Sequence, residues 1–224
     1  MTGTKAPDTP TKASGTPTRP RRIRRSPEAA EKEILDAAEA LLAQRSYREL
    51  NVDELMRRTG MTRSTFYHYF RSLDEVAVGL LRRVQAEMME AAAPWVQTAG
   101  ETDDPALNIE RGILGVAEVF AHHGKVLAAI DEAARHHQSV EEAWREGVLA
   151  PWISAVATEV RANHERALTN VEDPEEVARA LLLMNMAVFV ERLGRKPVDS
   201  PAEVAKTLSR IWVGALYPEG LAAL

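Results

Sequence analysis

Residues 60–76 read GMTRSTFYHYFRSLDEV, and this stretch decides how the front of the chain folds. Gly60 suits the end of one helix, because glycine adopts the left-handed backbone conformation that often closes helices. Thr62 suits the N-cap of the next helix, and Ser72 suits the N-cap of the one after it. The spacing predicts a short helix that ends near Phe70, between two turns.

The predicted short helix has two different faces. Phe66, Tyr69 and Phe70 lie together on a helical wheel, whereas Ser64 and His68 lie on the opposite side. The aromatic face is expected to pack, and the polar face is expected to stay outside. A polar face beside free N–H groups at a helix N-terminus suits entry into a DNA major groove. Periodicity alone leaves this open, since any short amphipathic helix has a polar face.

The residues themselves carry a resemblance. Residues 60–76, together with Ile34–Leu42 and Val52–Leu55, resemble the signature of the TetR family of transcriptional regulators. The resemblance implies a helix-turn-helix DNA-binding domain. It assigns a phosphate contact to Tyr67 and base-facing positions to Thr62, Arg63, Ser64, Thr65 and His68. The family often has a lysine where this chain has Leu73, so a phosphate anchor is missing, and Arg71 or the N-terminal arm is the candidate substitute.

The N-terminal arm, residues 1–25, is strongly basic. It holds seven Lys or Arg residues and one Asp, a net charge of +6. Because the whole chain has a net charge of −5, the remaining residues together carry −11. Its composition, rich in Pro and Thr with almost no large apolar side chain, is typical of disorder. Two interpretations stay open: a solubilising tail, or an arm that grasps DNA through Arg21, Arg22, Arg24 and Arg25.

From Ser26 onward the patterns predict an all-α protein of about nine helices. Ser26 followed by proline indicates a helix start, and Asn51 is predicted to be the N-cap of the short second helix. Capping boxes are predicted at Ser139, Asp173 and Ser200. Pro151 is expected to kink or break the helix that Ser139 begins.

Two helices are expected between Pro105 and His136, divided near Gly124. The predicted organisation is a basic arm (1–25), a helix-turn-helix DNA-binding domain (26–72) and a ligand-binding and dimerisation domain (73–224).

The last two helices are unusually apolar. Ala180–Val190 is apolar on every face, and Val204–Leu216 has a wide apolar face. A plain pair of core helices would explain this pattern. The TetR resemblance implies instead a homodimer, formed by packing the helices near 174–192 and 201–216 into a four-helix bundle.

A small apolar ligand is the second expected partner. Large aromatic side chains and a buried amide are typical of ligand pockets, although they also fill ordinary cores. The back half most resembles the EthR subgroup of the family, which has a long apolar channel. Where that channel has tryptophan, phenylalanine, tyrosine and a second asparagine, this chain has Glu110, Val116, Ala155 and Leu182, so its volume and polarity are expected to differ. The candidate ligand-binding residues are Glu110, Phe120, Trp144, Trp152, Met184, Asn185, Phe189 and Trp212.

Other classes of function find little support. The chain has no cysteine, and it has no phosphate loop, nucleophile elbow or zinc-protease motif. No catalytic residue, cofactor or metal site is predicted, although a metal site built from histidines of separate helices stays open. No apolar run reaches the roughly 20 residues of a membrane span, and no signal peptide is evident, so a cytoplasmic protein is expected.

The resulting hypothesis is a repressor that binds a palindromic operator in double-stranded DNA and is released by its ligand. The alternatives are a ligand-sensing activator, a ligand-independent regulator of the same fold and, more remotely, an enzyme.

Overall fold

The computed structural model describes residues 2–3, 26–96, 104–195 and 199–217. Within these ranges the chain is helical throughout and contains no β-strand. The basic residues Arg21, Arg22, Arg24 and Arg25 lie outside the described residues. The helices are α1 (Pro27–Leu42), α2 (Val52–Thr59), α3 (Arg63–Tyr69), α4 (Leu73–Val96), α5 (Pro105–Ala134), α6 (Gln138–Trp144), α7 (Ala150–Glu165), α8 (Pro174–Phe189) and α9 (Pro201–Leu216).

Two π-helical segments join or extend these helices. The first, π1 (Arg145–Leu149), makes α6 and α7 continuous, so the described chain has eight separate helices. The second, π2 (Val190–Arg195), extends α8. Pro151 is the second residue of α7 and has no N–H to donate to the preceding turn, which is π1; the helix therefore changes its hydrogen bonding there instead of breaking.

The first three helices form a small unit on the front of α4. Ile34 of α1, Leu55 of α2 and Phe66 of α3 have no exposed surface, and Leu80 of α4 is equally buried beneath them. Short helices are marginal alone, so this shared apolar core stabilises them. A 3-10 turn, Tyr47–Glu49, connects α1 to α2.

The long helix α5 runs through the middle of the protein and packs against α4, α9, π2 and α6. The predicted division near Gly124 is wrong, because α5 is one helix of 30 residues. Gly124 has a packing role: a Cβ there would lie 2.4 Å from the carbonyl oxygen of Leu193. In π2, a Cβ on Gly194 would lie 2.9 Å from the carbonyl oxygen of Gly124, so α5 and π2 are in direct backbone contact.

By length and composition α5 also qualifies as a membrane-spanning helix. Half of its most apolar window is buried inside the protein, which is the usual situation of a core helix. Its apolar composition is explained by the helices that surround it.

The predicted helix starts are mostly confirmed. The side chains of Ser26, Asn51, Thr62 and Asp173 each accept a backbone N–H at the start of their helix. The helix start predicted at Ser200 is confirmed, since α9 begins at Pro201, but its capping box is not formed; the start predicted at Ser139 is wrong. The helix begins one residue before Ser139, whose hydroxyl donates to Asp74, and Ser200 makes no side-chain capping bond.

Candidate DNA-binding surface and ligand cavity

The turn between α2 and α3 is built by local backbone chemistry. Gly60 ends α2 in the left-handed conformation, with φ of 66°. Thr62 then caps α3, since its hydroxyl accepts the backbone N–H of Thr65 at 3.2 Å. Phe66 is fully buried and Phe70 nearly so. These contacts hold α3 on the core by its aromatic face.

The opposite face of α3 is open to solvent. Arg63, Ser64 and His68 are exposed, and Tyr67 keeps 51% of its surface exposed although it is aromatic. The hydroxyls of Thr62 and Thr65 lie 2.9 Å apart and are bonded to each other. The structure therefore brings all six predicted DNA-contacting residues of this helix and its cap to one surface.

Arg63 is held in place on that surface. Its Nη1 lies 3.2 Å from both carboxylate oxygens of Asp53 in α2, and its Nη2 donates to the hydroxyl of Tyr67 at 3.4 Å. The contacts with Asp53 and Tyr67 thus use the two terminal nitrogens of the guanidinium. Sequence reasoning overlooked Asp53, because its position in the first turn of a helix already accounts for a carboxylate.

The surface beyond α3 offers one further cation. Leu73, which stands where the family often has lysine, is partly buried against the core. The side chain of Arg71 is 92% exposed and lies 3.8 Å from Glu75, which also accepts the backbone N–H of Arg71 at 2.7 Å. Arg71 therefore has the exposure that a substitute phosphate contact would need.

A narrow apolar cavity of about 50 Å³ lies in the back half. Among its lining side chains, Nε1 of Trp212 donates a hydrogen bond to Asn185 at 3.0 Å, deep in the core. That bond supplies the partner that a buried amide requires. The residues lining the cavity are Met88, Ala92, Ile109, Gly112, Ile113, Val116, Trp144, Val148, Leu149, Trp152, Leu182, Asn185, Met186, Phe189 and Trp212.

The structure brings five of the eight candidate ligand-binding residues to this cavity: Trp144, Trp152, Asn185, Phe189 and Trp212. Glu110 is exposed on α5, and Met184 is partly buried outside the lining. Sequence reasoning missed the whole wall from α4, including Met88 and Ala92. Their apolar spacing on α4 indicated burial but not which neighbour they would face.

A second cavity of about 340 Å³ adjoins the first, and Trp144 and Met186 line both. Phe120, the remaining ligand candidate, lines this second cavity, and its ring centroid lies 5.0 Å from that of Phe189. Asp131 and Arg135 add an ion pair to its lining, so it is more polar than the first.

An apolar surface on α8 and α9 remains uncovered. Leu183 is 48% exposed and Ile211 45%. Ala180 and Ala187 flank Leu183 at helical spacing, and Gly214 follows Ile211 on α9; all three are exposed. These helices face the core with one side and solvent with another, unlike the expectation that Ala180–Val190 is buried all round.

Polar contacts join the front helices to the back half through Asp74, at the start of α4. Its carboxylate accepts hydrogen bonds from Tyr47 at 2.6 Å and Ser139 at 2.8 Å, and lies 3.0 Å from His137. Burial alone would raise the pKa of Asp74, but the hydrogen bonds from Tyr47 and Ser139 and the nearby His137 lower it. Burial, together with this carboxylate, raises the pKa of Tyr47. The carboxylate therefore stays ionised and fixes the 3-10 turn to α6.

Across the described part of the chain, no group of three or more His, Asp or Glu side chains is arranged to hold a metal ion. Within the described ranges, the outward face of α3 and the apolar cavity are candidate binding sites.

Comparison with known proteins identifies the family. Residues 34–78 match "Bacterial regulatory proteins, tetR family", and residues 109–218 match "Transcriptional regulator EthR, C-terminal domain". The HTH-type transcriptional regulator EthR of Mycolicibacterium smegmatis is 31% identical over 206 residues, covering 90% of this chain and 93% of that protein. EthR of Mycobacterium tuberculosis is 34% identical over 202 residues, covering 89% and 92%.

Solved structures agree in fold. SmeT, the repressor of the Stenotrophomonas maltophilia multidrug efflux pump SmeDEF, matches with a TM-score of 0.66 at 16% identity, covering 85% of this chain and 91% of SmeT. Both parts of the chain match regulators and not enzymes. The chain therefore belongs to the TetR family of DNA-binding transcriptional regulators, with a C-terminal domain of the EthR type.

Proposed function

We propose that this protein is a cytoplasmic homodimeric repressor, which binds a palindromic operator in double-stranded DNA and is released by a small apolar ligand. The observation that carries the proposal is the divided character of α3, whose aromatic side is buried while Arg63, Ser64, Tyr67 and His68 face outward. Arg63 would read a base edge, because a guanidinium can donate two hydrogen bonds to guanine. Tyr67 would contact phosphate. Residues 26–72 would form the DNA-binding domain and 73–224 the rest.

A dimer is supported by the uncovered apolar surface of α8 and α9. Leu183 and Ile211 are among the few large apolar residues that are exposed, and small residues flank them. Such a patch is typical of protein interfaces. Twofold symmetry would then present two copies of α3 to DNA about 34–36 Å apart, which is one helical turn.

Ligand release is supported by the apolar cavity and by the buried hydrogen bond in its lining between Trp212 and Asn185. The cavity of about 50 Å³ is much smaller than the roughly 300–1,000 Å³ of typical ligand pockets. A ligand would therefore need side chains such as Trp144 and Met186 to move and join the two cavities. The same small volume favours the second candidate, a regulator of this fold that works without a ligand.

A DNA-binding experiment tests the repressor proposal. The full-length protein is titrated onto labelled DNA from upstream of its own gene, and onto a scrambled duplex, at two salt concentrations. We expect specific retardation that weakens at the higher salt, because phosphate contacts release counterions. Operator recognition would be refuted if both duplexes bound equally well, or if the protein selected no sequence from a random DNA library.

A second experiment separates the two candidates. Straight-chain alcohols of increasing length are added to the operator complex, with the fluorescence of the tryptophans as a binding signal. For a ligand-released repressor we expect alcohols within one range of chain length to bind the protein and to dissociate it from DNA. Asn185→Leu or Trp152→Ala should change that range. Neither substitution should change the binding of the unliganded protein to DNA. A complex that resists every length, with no fluorescence change, would favour the ligand-independent regulator.

A further inference from the structure

His123 lies buried in α5, with 6% of its surface exposed, and both of its ring nitrogens face carboxylates. Nδ1 lies 2.8 Å from Oε1 of Glu39, and Nε2 lies 2.9 Å from Oε2 of Glu87. Glu39 belongs to α1 of the front unit, and Glu87 belongs to α4. One imidazole therefore joins three helices.

The two bonds together require a proton beyond those of a neutral imidazole. A neutral imidazole carries one N–H, and an ionised carboxylate only accepts hydrogen bonds. Both contacts of His123 can be hydrogen bonds only when the cluster holds one more proton, either on the ring or on one carboxyl group. Without that proton, a nitrogen lone pair would face a carboxylate oxygen within 3 Å, and one of the two contacts would open.

The cluster around His123 contains further charged side chains on α1 and α4. Arg83 of α4 donates from Nη1 to Asp36 at 2.7 Å and to Glu39 at 3.2 Å, and Lys32 pairs with Asp36 at 2.7 Å. Burial would raise the pKa of Asp36, but the hydrogen bonds from Lys32 and Arg83 lower it. The cluster thus contains three carboxylates, Asp36, Glu39 and Glu87, and two cations, Lys32 and Arg83. One added proton would bring its net charge to zero.

Two further features lie beside His123 among the described residues. The exposed His122 meets its ring edge-on, with 4.6 Å between ring centroids. The segment π2 approaches the same level of α5 through the backbone of Leu193 and Gly194.

The position of His123 on α5 links it to the cavity. Val116 lines the cavity, and His123 follows it by seven residues, about 10 Å along the same face of the helix. At its other end the cluster reaches α1, which packs against α2 in the unit that carries α3. A movement of α5 at the cavity wall would therefore act on α1 through Glu39.

We propose that His123 is a positioning residue for DNA recognition: as a proton-carrying bridge it fixes α1 and α4 against α5 and so sets the orientation of α3. The bridge forms at low pH and is lost as pH rises, because its second hydrogen bond needs the added proton. The consequence for DNA rests on the proposed function, whereas the orientation itself is a property of the isolated protein.

The sharpest variant is Glu87→Gln. A glutamine amide can donate to Nε2 of a neutral His123, while Nδ1–H donates to Glu39. Both contacts then form without the added proton, so this variant keeps the bridge and loses its pH dependence. Glu31→Gln, an exposed residue of α1, removes the same charge away from the cluster and serves as the control.

Orientation is measured first, without DNA. Because the chain has no cysteine, spin labels can be placed on Ser64→Cys in α3 and Ser154→Cys in α7, with labelled protein diluted into unlabelled protein. From about pH 5 to about 8, the range in which histidine changes charge, we expect the distance distribution to broaden in the parent protein and the Glu31→Gln control. It should stay narrow with Glu87→Gln. Identical pH profiles for the parent protein and Glu87→Gln would overturn the proposal.

DNA affinity is measured second, on the duplex that the parent protein selects from a random library. We expect affinity to fall about five- to tenfold across the same pH range in the parent protein, and to stay nearly constant with Glu87→Gln. His68 is present in both proteins, so the difference between them isolates the bridge. If no sequence is selected at any pH, operator recognition fails while the spin-label distances still decide the role of His123. Parallel pH profiles of affinity in the two proteins would count against it.

Discussion

At the scale of single residues, neighbouring positions on α3 have opposite tasks. Phe66 has no exposed surface, whereas Tyr67 has half of its surface exposed. Adjacent residues on a helix point about 100° apart, so the two aromatic rings serve different faces. This separation allows the contribution of α3 to folding to be measured apart from its contribution to DNA binding.

Tyr67→Ala is expected to lower the affinity for operator DNA by about tenfold, with little change in the melting temperature. Most of the loss should be common to all sequences, since a phosphate contact reads no base, with a smaller loss of preference for the operator because Tyr67 also accepts a hydrogen bond from Arg63. Fluorescence anisotropy and thermal unfolding check the two parts. Phe66→Ala is the contrasting variant and should cost about 3–5 kcal/mol of stability. Full operator affinity in Tyr67→Ala would remove α3 from the proposed DNA interface.

Asp53 is the residue whose charge is least expected beside DNA. Its carboxylate would face phosphates, yet it holds Nη1 of Arg63. Asp53→Asn should therefore raise affinity for scrambled DNA and reduce the preference for operator over scrambled duplex by about three- to tenfold. Competition binding measures that ratio, with Glu31→Gln as the control for a lost charge. A ratio unchanged from the parent protein would show that Arg63 needs no help from Asp53.

At the scale of helices, the contact between α5 and π2 depends on two glycines. A Cβ on Gly124 would meet the backbone of Leu193, which cannot rotate away as a side chain could. Gly124→Ala should therefore lower the free energy of unfolding by about 1–3 kcal/mol, measured by urea denaturation. Gly147 has open space around its Cβ position, so Gly147→Ala should be neutral or stabilising by up to about 1 kcal/mol. A similar response from both glycines would contradict the packing role of Gly124.

Gly124 also shows where sequence reasoning reaches its limit. Glycine disfavours helices, so the pattern predicted a break, and only the neighbouring π2 explains why the helix continues. Local signals succeeded where the cause is local: Asn51, Gly60 and Thr62 interact within their own turn, and the predictions there are confirmed. Ser139 failed because its hydroxyl bonds to Asp74, 65 residues away.

The site followed the same rule. The outward face of α3 could be predicted, since one helix defines it. The cavity could be predicted only in part, because its walls come from α4 to α9 and the sequence does not state which faces meet. The buried bridge at His123 gave no local signal at all.

At the scale of the whole molecule, the uncovered surface on α8 and α9 should control assembly and DNA binding together. Leu183→Glu is expected to produce monomers and to lower operator affinity at least about 100-fold, because each monomer reads one half-site. Sedimentation velocity and anisotropy measure the two effects. Leu168 is equally apolar and 41% exposed, but it lies between α7 and α8, and Leu168→Glu should change neither. A Leu183→Glu protein that stays dimeric would place the interface elsewhere.

The small volume of the cavity has a consequence for how the proposed regulator would set its threshold. For a ligand that binds only an opened conformer, the apparent Kd equals the intrinsic Kd of that conformer divided by the fraction of molecules already open. Sensitivity is then encoded in the tightness of internal packing, separately from the groups that recognise the ligand. Replacing Met88 or Leu149 by a smaller residue would lower the effector concentration needed for a half-maximal response. Replacing Ala92 by a larger residue would raise that concentration. The same compound would remain the inducer in both cases.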